Sequence, residues 1–215
     1  MIKIRSICKA GSSLQSIIYD RINHLCNDKM IDFDRIYDCP ESSDIDIIVL
    51  RNPVNRMISK YYSAGWTHST VEYTDEQWKE REEIKQLTLS EFVISYRLNW
   101  QRIVYEKILD MENVCVVRYE DIMNNPKGYI RLVLLKINRL DIFDTIYENF
   151  KHEFIFDGKD LSDDIVNKGL IEHRRNLDHK EYLNKFNDKC EIFFIDRMIG
   201  EILKRYDDLD DQTIN

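Results

Sequence analysis

The sequence predicts an α/β protein with a central parallel sheet flanked by helices, on three observations. An alternating N-terminal segment runs into a short Gly/Ser turn and then into apolar residues at helical spacing. A continuous apolar run, Ile45 to Leu50, leads directly into an Asn-Pro pair that suits a helix start. A third apolar stretch near 114–118 is again followed by helical segments. Strands that alternate with helices pair in parallel through right-handed crossovers.

The first strand is read over 2–8, where Ile2, Ile4 and Cys8 stand around Lys3, Arg5 and Ser6. Leu14, Ile17, Ile18, Arg21, Ile22 and Leu25 then place a helix over 13–27. Between them lies Lys9-Ala10-Gly11-Ser12-Ser13. A strand, a Gly/Ser turn and a helix make a phosphate cradle. Glycine lets the backbone approach an anion closely. The hydroxyls and helix N–H groups donate, and Lys9 supplies charge. The G-x-x-x-x-G-K-[ST] spacing is absent.

A short strand is expected near 34–38 and another over 45–50. Asn52 is a good helix cap, and Pro53 fits the first helical position, where its missing N–H costs nothing. The helix is read over 53–64. Arg51 therefore ends a strand, and Ser59 lies two turns into the next helix. Open α/β sheets bind ligands at that edge. A fixed guanidinium and a hydroxyl beside a helix N-terminus suit a phosphate.

Residues 65–87 read as a polar insert, with the 72–85 charge run as a solvated face. Thr88-Leu89-Ser90-Glu91 has the pattern of a capping box, opening a helix to about 110. A strand at 114–118 follows, then helices near 120–124, 127–138 and 142–150. Residues 151–183 are loop-rich, and an amphipathic helix spans 188–206. This gives one domain over 1–206 and an acidic tail, 207–215, expected to be disordered.

At 215 residues with 43% hydrophobic content, the chain suits one domain with a full core. No apolar run reaches membrane-spanning length. The first strand starts at residue 1, so no signal peptide is expected. Cys8, Cys26, Cys39, Cys115 and Cys190 are odd in number and unpatterned. They read as reduced thiols, which favours a cytoplasmic location. A net charge of −8 argues against general nucleic-acid binding and leaves room for a local basic site. The five histidines are scattered, and no metal site is expected.

Taken in order, these segments resemble the sulfotransferases that use 3′-phosphoadenosine-5′-phosphosulfate (PAPS) as donor. Cys8-Lys9-Ala10-Gly11-Ser12-Ser13 is similar to the family's P-K-x-G-[ST]-[ST] loop, with Cys8 in place of the proline. Arg51 through Ser59 is similar to R-[DN]-P-x-[DE]-R-x-x-S, with Asn55 at the acidic position. Val116-Val117-Arg118-Tyr119-Glu120-Asp121, followed by Asn125-Pro126, looks like the family's strand-to-helix turn at Y-E-D. The resemblance covers residues 1 to about 135 and continues weakly to the end. Pro40, Pro53 and Pro126, the chain's three prolines, each lie in a segment that matches the pattern.

The resemblance implies a P-loop-like three-layer fold and sulfuryl transfer from PAPS to an acceptor hydroxyl. It gives Lys9, Ala10, Gly11, Ser12 and Ser13 to the 5′-phosphosulfate and Arg51 and Ser59 to the 3′-phosphate. Tyr119 falls at the adenine contact, and Arg174 or Arg175, in the basic C-terminal loop, at a second contact to the 3′-phosphate. Lys9 would carry the charge of the leaving phosphate. The family's histidine base falls at Asp38, with Glu41 and Asp34 as nearby carboxylates. A carboxylate must have its pKa raised to act as a base.

PAPS, with 3′-phosphoadenosine 5′-phosphate (PAP) as product, is thus the expected cosubstrate. The acceptor is expected to be a carbohydrate hydroxyl, with a small phenol or alcohol second, because the loops carry polar groups and aromatic faces. Each element alone also has a plainer reading. The Lys9 turn suits any βα unit, Arg51 could pair with Asp46, and Arg56 reads as a structural ion-pair residue. Trp66, Trp78 and Trp100 suit a core or a pocket wall. Two other classes stay open: a small P-loop-type nucleotide kinase, and a degenerate, non-catalytic nucleotide-binding homologue.

Overall fold

A computed structural model describes residues 1–37, 40, 44–67, 74–151, 183, 186 and 188–209, the side chains of residues 95 and 96 excepted. Four parallel strands form one sheet in the order β2-β1-β3-β4: β1 (Ile2–Ile7), β2 (Ile31–Ile36), β3 (Ile47–Leu50) and β4 (Cys115–Arg118). Ile2 pairs with Ile31, Ile4 with Ile47, and Ile47 with Cys115. All four residues of β3 are fully buried, as a strand covered on both faces requires. The chain leaves β1 toward β2 and returns on the other side to β3. The order reverses there, and the turns that follow β1 and β3 come out side by side at the carboxyl edge.

Eight α-helices accompany the sheet among the described residues: α1 (Ser12–Cys26), α2 (Pro53–Tyr62), α3 (Asp75–Gln86), α4 (Leu98–Leu109), α5 (Tyr119–Asn124), α6 (Pro126–Lys136), α7 (Phe143–Phe150) and α8 (Lys189–Asp207). They fall into two packed groups, α1 with α5, α6 and α7, and α2 with α3, α4 and α8. Tyr19 of α1 and Tyr129 of α6 share a hydroxyl hydrogen bond in the first group. Burial pushes both phenol pKa values up. The four described cysteines, Cys8, Cys26, Cys115 and Cys190, are free. Among the described residues no helix is long and apolar enough to cross a membrane.

Several boundaries differ from the sequence reading. β2 begins at Ile31, not near 34, because it is an edge strand with a weak apolar signal. Only Ile31 is fully buried, and Asp32 and Arg35 dilute the alternation. Asp32 is held by Arg5 and Lys29.

The polar insert contains α3. Its buried residues are Arg81 and Ile84 alone, so apolar periodicity could not announce it. A capping box marks its start instead: Thr74 Oγ1 accepts from the Gln77 N–H at 3.3 Å, and Gln77 Oε1 accepts from the Thr74 N–H at 2.9 Å. The second box forms as the sequence predicts, between Thr88 and Glu91. The helix it opens is wider than expected, being π-helical over Glu91–Arg97 before α4 begins. A second π-helical turn, Ser63–Thr67, extends α2. The C-terminal helix runs to Asp207, one residue into the expected tail, and residues 210–215 lie outside the described residues.

Candidate functional site

The turn after β1 is defined by what holds its carbonyls. Ala10 N–H closes it onto Ile7 O at 3.0 Å. Lys9 and Gly11 both take left-handed backbone, at φ 76° and 69°. Arg56 Nε donates to Cys8 O at 2.8 Å, Arg51 Nη1 to Lys9 O at 3.3 Å, and Gln15 Nε2 to Ala10 O at 2.6 Å. In a trans peptide the N–H points opposite to the carbonyl. Carbonyls tied to Arg56 and Gln15 therefore turn the N–H groups of Lys9 and Gly11 the other way. No side chain caps α1, and its first turn carries no acid. The positive end of this helix stays open to an anion.

Gly11 has no room for a side chain. A Cβ there would stand 2.5 Å from Cε2 of Tyr119. The Arg51 guanidinium carbon lies 5.2 Å from the centre of the same ring. Gly11, Tyr119 and Arg51 thus form one packed unit across the reversal point of the sheet. Burial pushes the Tyr119 phenol pKa up.

Arg51 is only 7% exposed, yet among the described residues its Nε has no hydrogen-bond partner. A buried donor left in that state costs about 1–3 kcal/mol, and an anionic ligand would satisfy it. Its backbone is braced from three helices. Tyr105 of α4 donates to Arg51 O. Glu120 of α5 accepts from the Asn52 N–H at 3.3 Å and from Tyr206 of α8 at 2.6 Å. Asn52 accepts from the N–H groups of Val54 and Asn55, and Pro53 takes the first helical position, as the sequence predicts. Asp46 does not pair with Arg51; its carboxylate accepts from the Lys3 N–H at 2.8 Å.

Lys9, Ala10, Gly11, Arg51 and Tyr119 therefore meet. Ser12 is buried at the start of α1, and Ser13 is exposed and accepts from Arg35 at 3.3 Å. Ser59 is half-buried on α2, and its hydroxyl makes no hydrogen bond among the described residues. Asp38, Glu41, Arg174 and Arg175 lie outside the described residues. Among the described residues no cluster of histidine, cysteine and acid groups could hold a metal.

Beside the Lys9 turn opens a cavity of about 430 Å³, walled by Lys9, Arg56, Lys60 and Arg97 with Tyr37 and Trp100. Burial lowers the Lys9 pKa most, and Lys60, Arg35 and Arg51 add to the effect while Cys8 opposes it. Burial also lowers the Lys60 pKa, with Arg97 next, against the opposing pull of Glu80. Arg56 has a wider role than the sequence reading gave it. Besides holding Cys8 O, it donates to Gln101 Oε1 at 2.6 Å and lies 5.4 Å from the Trp100 ring centre. Gln15, Lys60, Arg97 and Glu120 were not expected as site residues. Arg56 and Lys60 left a signal, a basic pair one turn apart in an acidic chain. The others reach the site only through tertiary packing.

Fold and site together define an α/β protein with a basic cleft at the carboxyl edge of a parallel sheet. No family model matches the chain, and no curated protein or solved structure matches it either.

Proposed function

We propose that the chain is a sulfotransferase with a P-loop-like fold, moving the sulfuryl group of PAPS to an acceptor hydroxyl, most simply that of a carbohydrate. The supporting observation is the packed unit of the Lys9–Gly11 turn, Arg51 and Tyr119 at the reversal point of the sheet. Two anion-binding devices stand there side by side: an uncapped helix with outward N–H groups, and a buried guanidinium with an unfilled donor. A nucleotide with phosphates at both its 5′ and 3′ positions has an anion for each.

In the proposed reaction the acceptor oxygen attacks sulfur in line with the sulfur–oxygen bond to the 5′-phosphate. That bond breaks and PAP leaves. Lys9 and the N–H groups of Gly11, Ser12 and Ser13 stabilise the charge that builds on the leaving phosphate. A carboxylate, Asp38 or Glu41, takes the acceptor proton. Cys8 replaces a proline in the resemblance, and Arg56 supplies the rigidity there by fixing the Cys8 carbonyl.

Titration calorimetry with PAP, ADP and 5′-AMP tests the reading. PAP is expected to bind, with ADP and AMP far weaker. Arg51→Ala should weaken PAP by about thirtyfold or more, since removing one partner of a buried charged contact costs about 2 kcal/mol or more. Equal binding of ADP and PAP would overturn the reading in favour of a kinase. Binding of none of the three would end it.

A further inference from the structure

We infer that the acceptor is an acidic oligosaccharide, and that its carboxylate or sulfate groups are bound in the cavity walled by Arg56, Lys60 and Arg97. The inference rests on the sulfotransferase reading and names its acceptor class.

Position separates this cavity from the donor contacts. It starts at Lys9 and follows α2 through Arg56 and Lys60 to Ser63 of the π-helical turn beyond it, and on to Arg97. Arg51, Gly11 and Tyr119 do not line it. An acceptor held there meets the proposed nucleotide site at Lys9, the residue the two share, so both reactants can be held at once.

Charge gives the class. The chain carries a net charge of −8, yet four cations line this space and no carboxylate does, among the described residues. Glu80 accepts from Lys60 at 3.3 Å and from Arg97 at 2.9 Å without lining the cavity itself. It holds these two cations in a fixed arrangement. Like-charged groups packed this closely raise each other's cost, and an anionic ligand relieves it.

Shape and backbone point the same way. About 430 Å³ is within the usual size of a small-ligand site. Trp100 and Tyr37 offer apolar faces on which a sugar ring can lie. The two π-helical turns, Ser63–Thr67 and Glu91–Arg97, deliver Ser63 and Arg97 to the wall. Such turns are rare and recur where a side chain has been re-aimed for function.

Matched oligosaccharides test the inference. Protein saturated with PAP is titrated with a hyaluronan tetrasaccharide, which carries uronate groups, and with the neutral chitotetraose. The acidic ligand should bind at least tenfold tighter, and the preference should shrink as salt is raised. Lys60→Met and Arg97→Met should each weaken the acidic ligand severalfold and leave the neutral one nearly unchanged. Melting temperature and PAP affinity are measured on each variant, so loss of folding or of the donor site is seen separately. PAP binding with equal affinity for the two sugars would overturn the acidic acceptor alone. So would full retention of the preference in both folded variants. Failure of the wild-type protein to bind PAP would overturn the donor reading, and the acceptor assignment with it.

Discussion

Two strand-to-helix turns stand side by side at the edge of the sheet, and they start their helices in opposite ways. After β3, the Asn52 side chain takes the N–H groups of Val54 and Asn55, and that helix end is satisfied from within. After β1, Gly11 enters α1 in left-handed backbone with no side-chain cap at all. The first turn leaves its backbone donors for a ligand and fixes its carbonyls instead. The second uses up its backbone donors and presents a side chain, Arg51. One edge of the sheet thus presents two kinds of unfilled donor, one from peptide groups and one from a guanidinium.

The sharpest way to break the comparison is at Gly11. Gly11→Ala places a side chain in left-handed backbone and against the Tyr119 ring. It should destabilise by about 2–4 kcal/mol, combining the left-handed penalty with overpacking. A urea midpoint lowered at unchanged slope checks this, and an unaltered midpoint would mean the Tyr119 contact is not rigid. Next is the brace behind Arg51. Tyr206→Phe leaves a buried carboxylate short of a donor and should cost about 2 kcal/mol. The same denaturation measurement reads it.

The cap itself gives a smaller and more diagnostic effect. Asn52→Ala should cost about 1 kcal/mol, whereas Ser12→Ala and Ser13→Ala should each stay within about 0.5 kcal/mol. Equal losses at both turns would erase the distinction between them.

Lys9→Met should reverse the sign. The folded pKa of Lys9 lies below its ordinary 10.5, so the folded protein holds that proton less tightly than the unfolded chain. This cost is present at neutral pH and below, and it fades as pH rises through the folded value toward 10.5. The variant should therefore melt slightly higher than the parent at pH 7 while losing PAP binding. The stability gain should shrink as pH rises toward 10.5. A lower melting temperature at pH 7 would mean that Lys9 stabilises the turn rather than straining it.

The two turns were also unequally legible in the sequence. Asn52 and Pro53 act within their own helix, so their roles follow from local chemistry alone. Lys9, Gly11 and the hydroxyls were visible as a pattern. Their restraints were not, because Arg56 reaches Cys8 across 48 residues and Tyr206 reaches Glu120 across 86. The strands β1, β3 and β4 announced themselves by apolar content. The insert hid α3 because a helix with two buried residues has almost no apolar stripe to read. Its capping box, Thr74 to Gln77, was the available sign. The π-helical turns leave no comparable trace in the apolar pattern or in the caps.

The brace from Tyr206 to Glu120 and on to Asn52 also sets an order in time. A ribosome delivers the Lys9 turn and Arg51 early, but the last support of the Arg51 turn lies on the C-terminal helix. At ordinary synthesis rates roughly ten seconds or more separate the two. Until then the chain carries an acid at Glu120 without its Tyr206 donor. The Arg51 turn thus gains its last support only once the helix that carries Tyr206 has been made, and a chain that stops short of it has the turn but not the brace behind it.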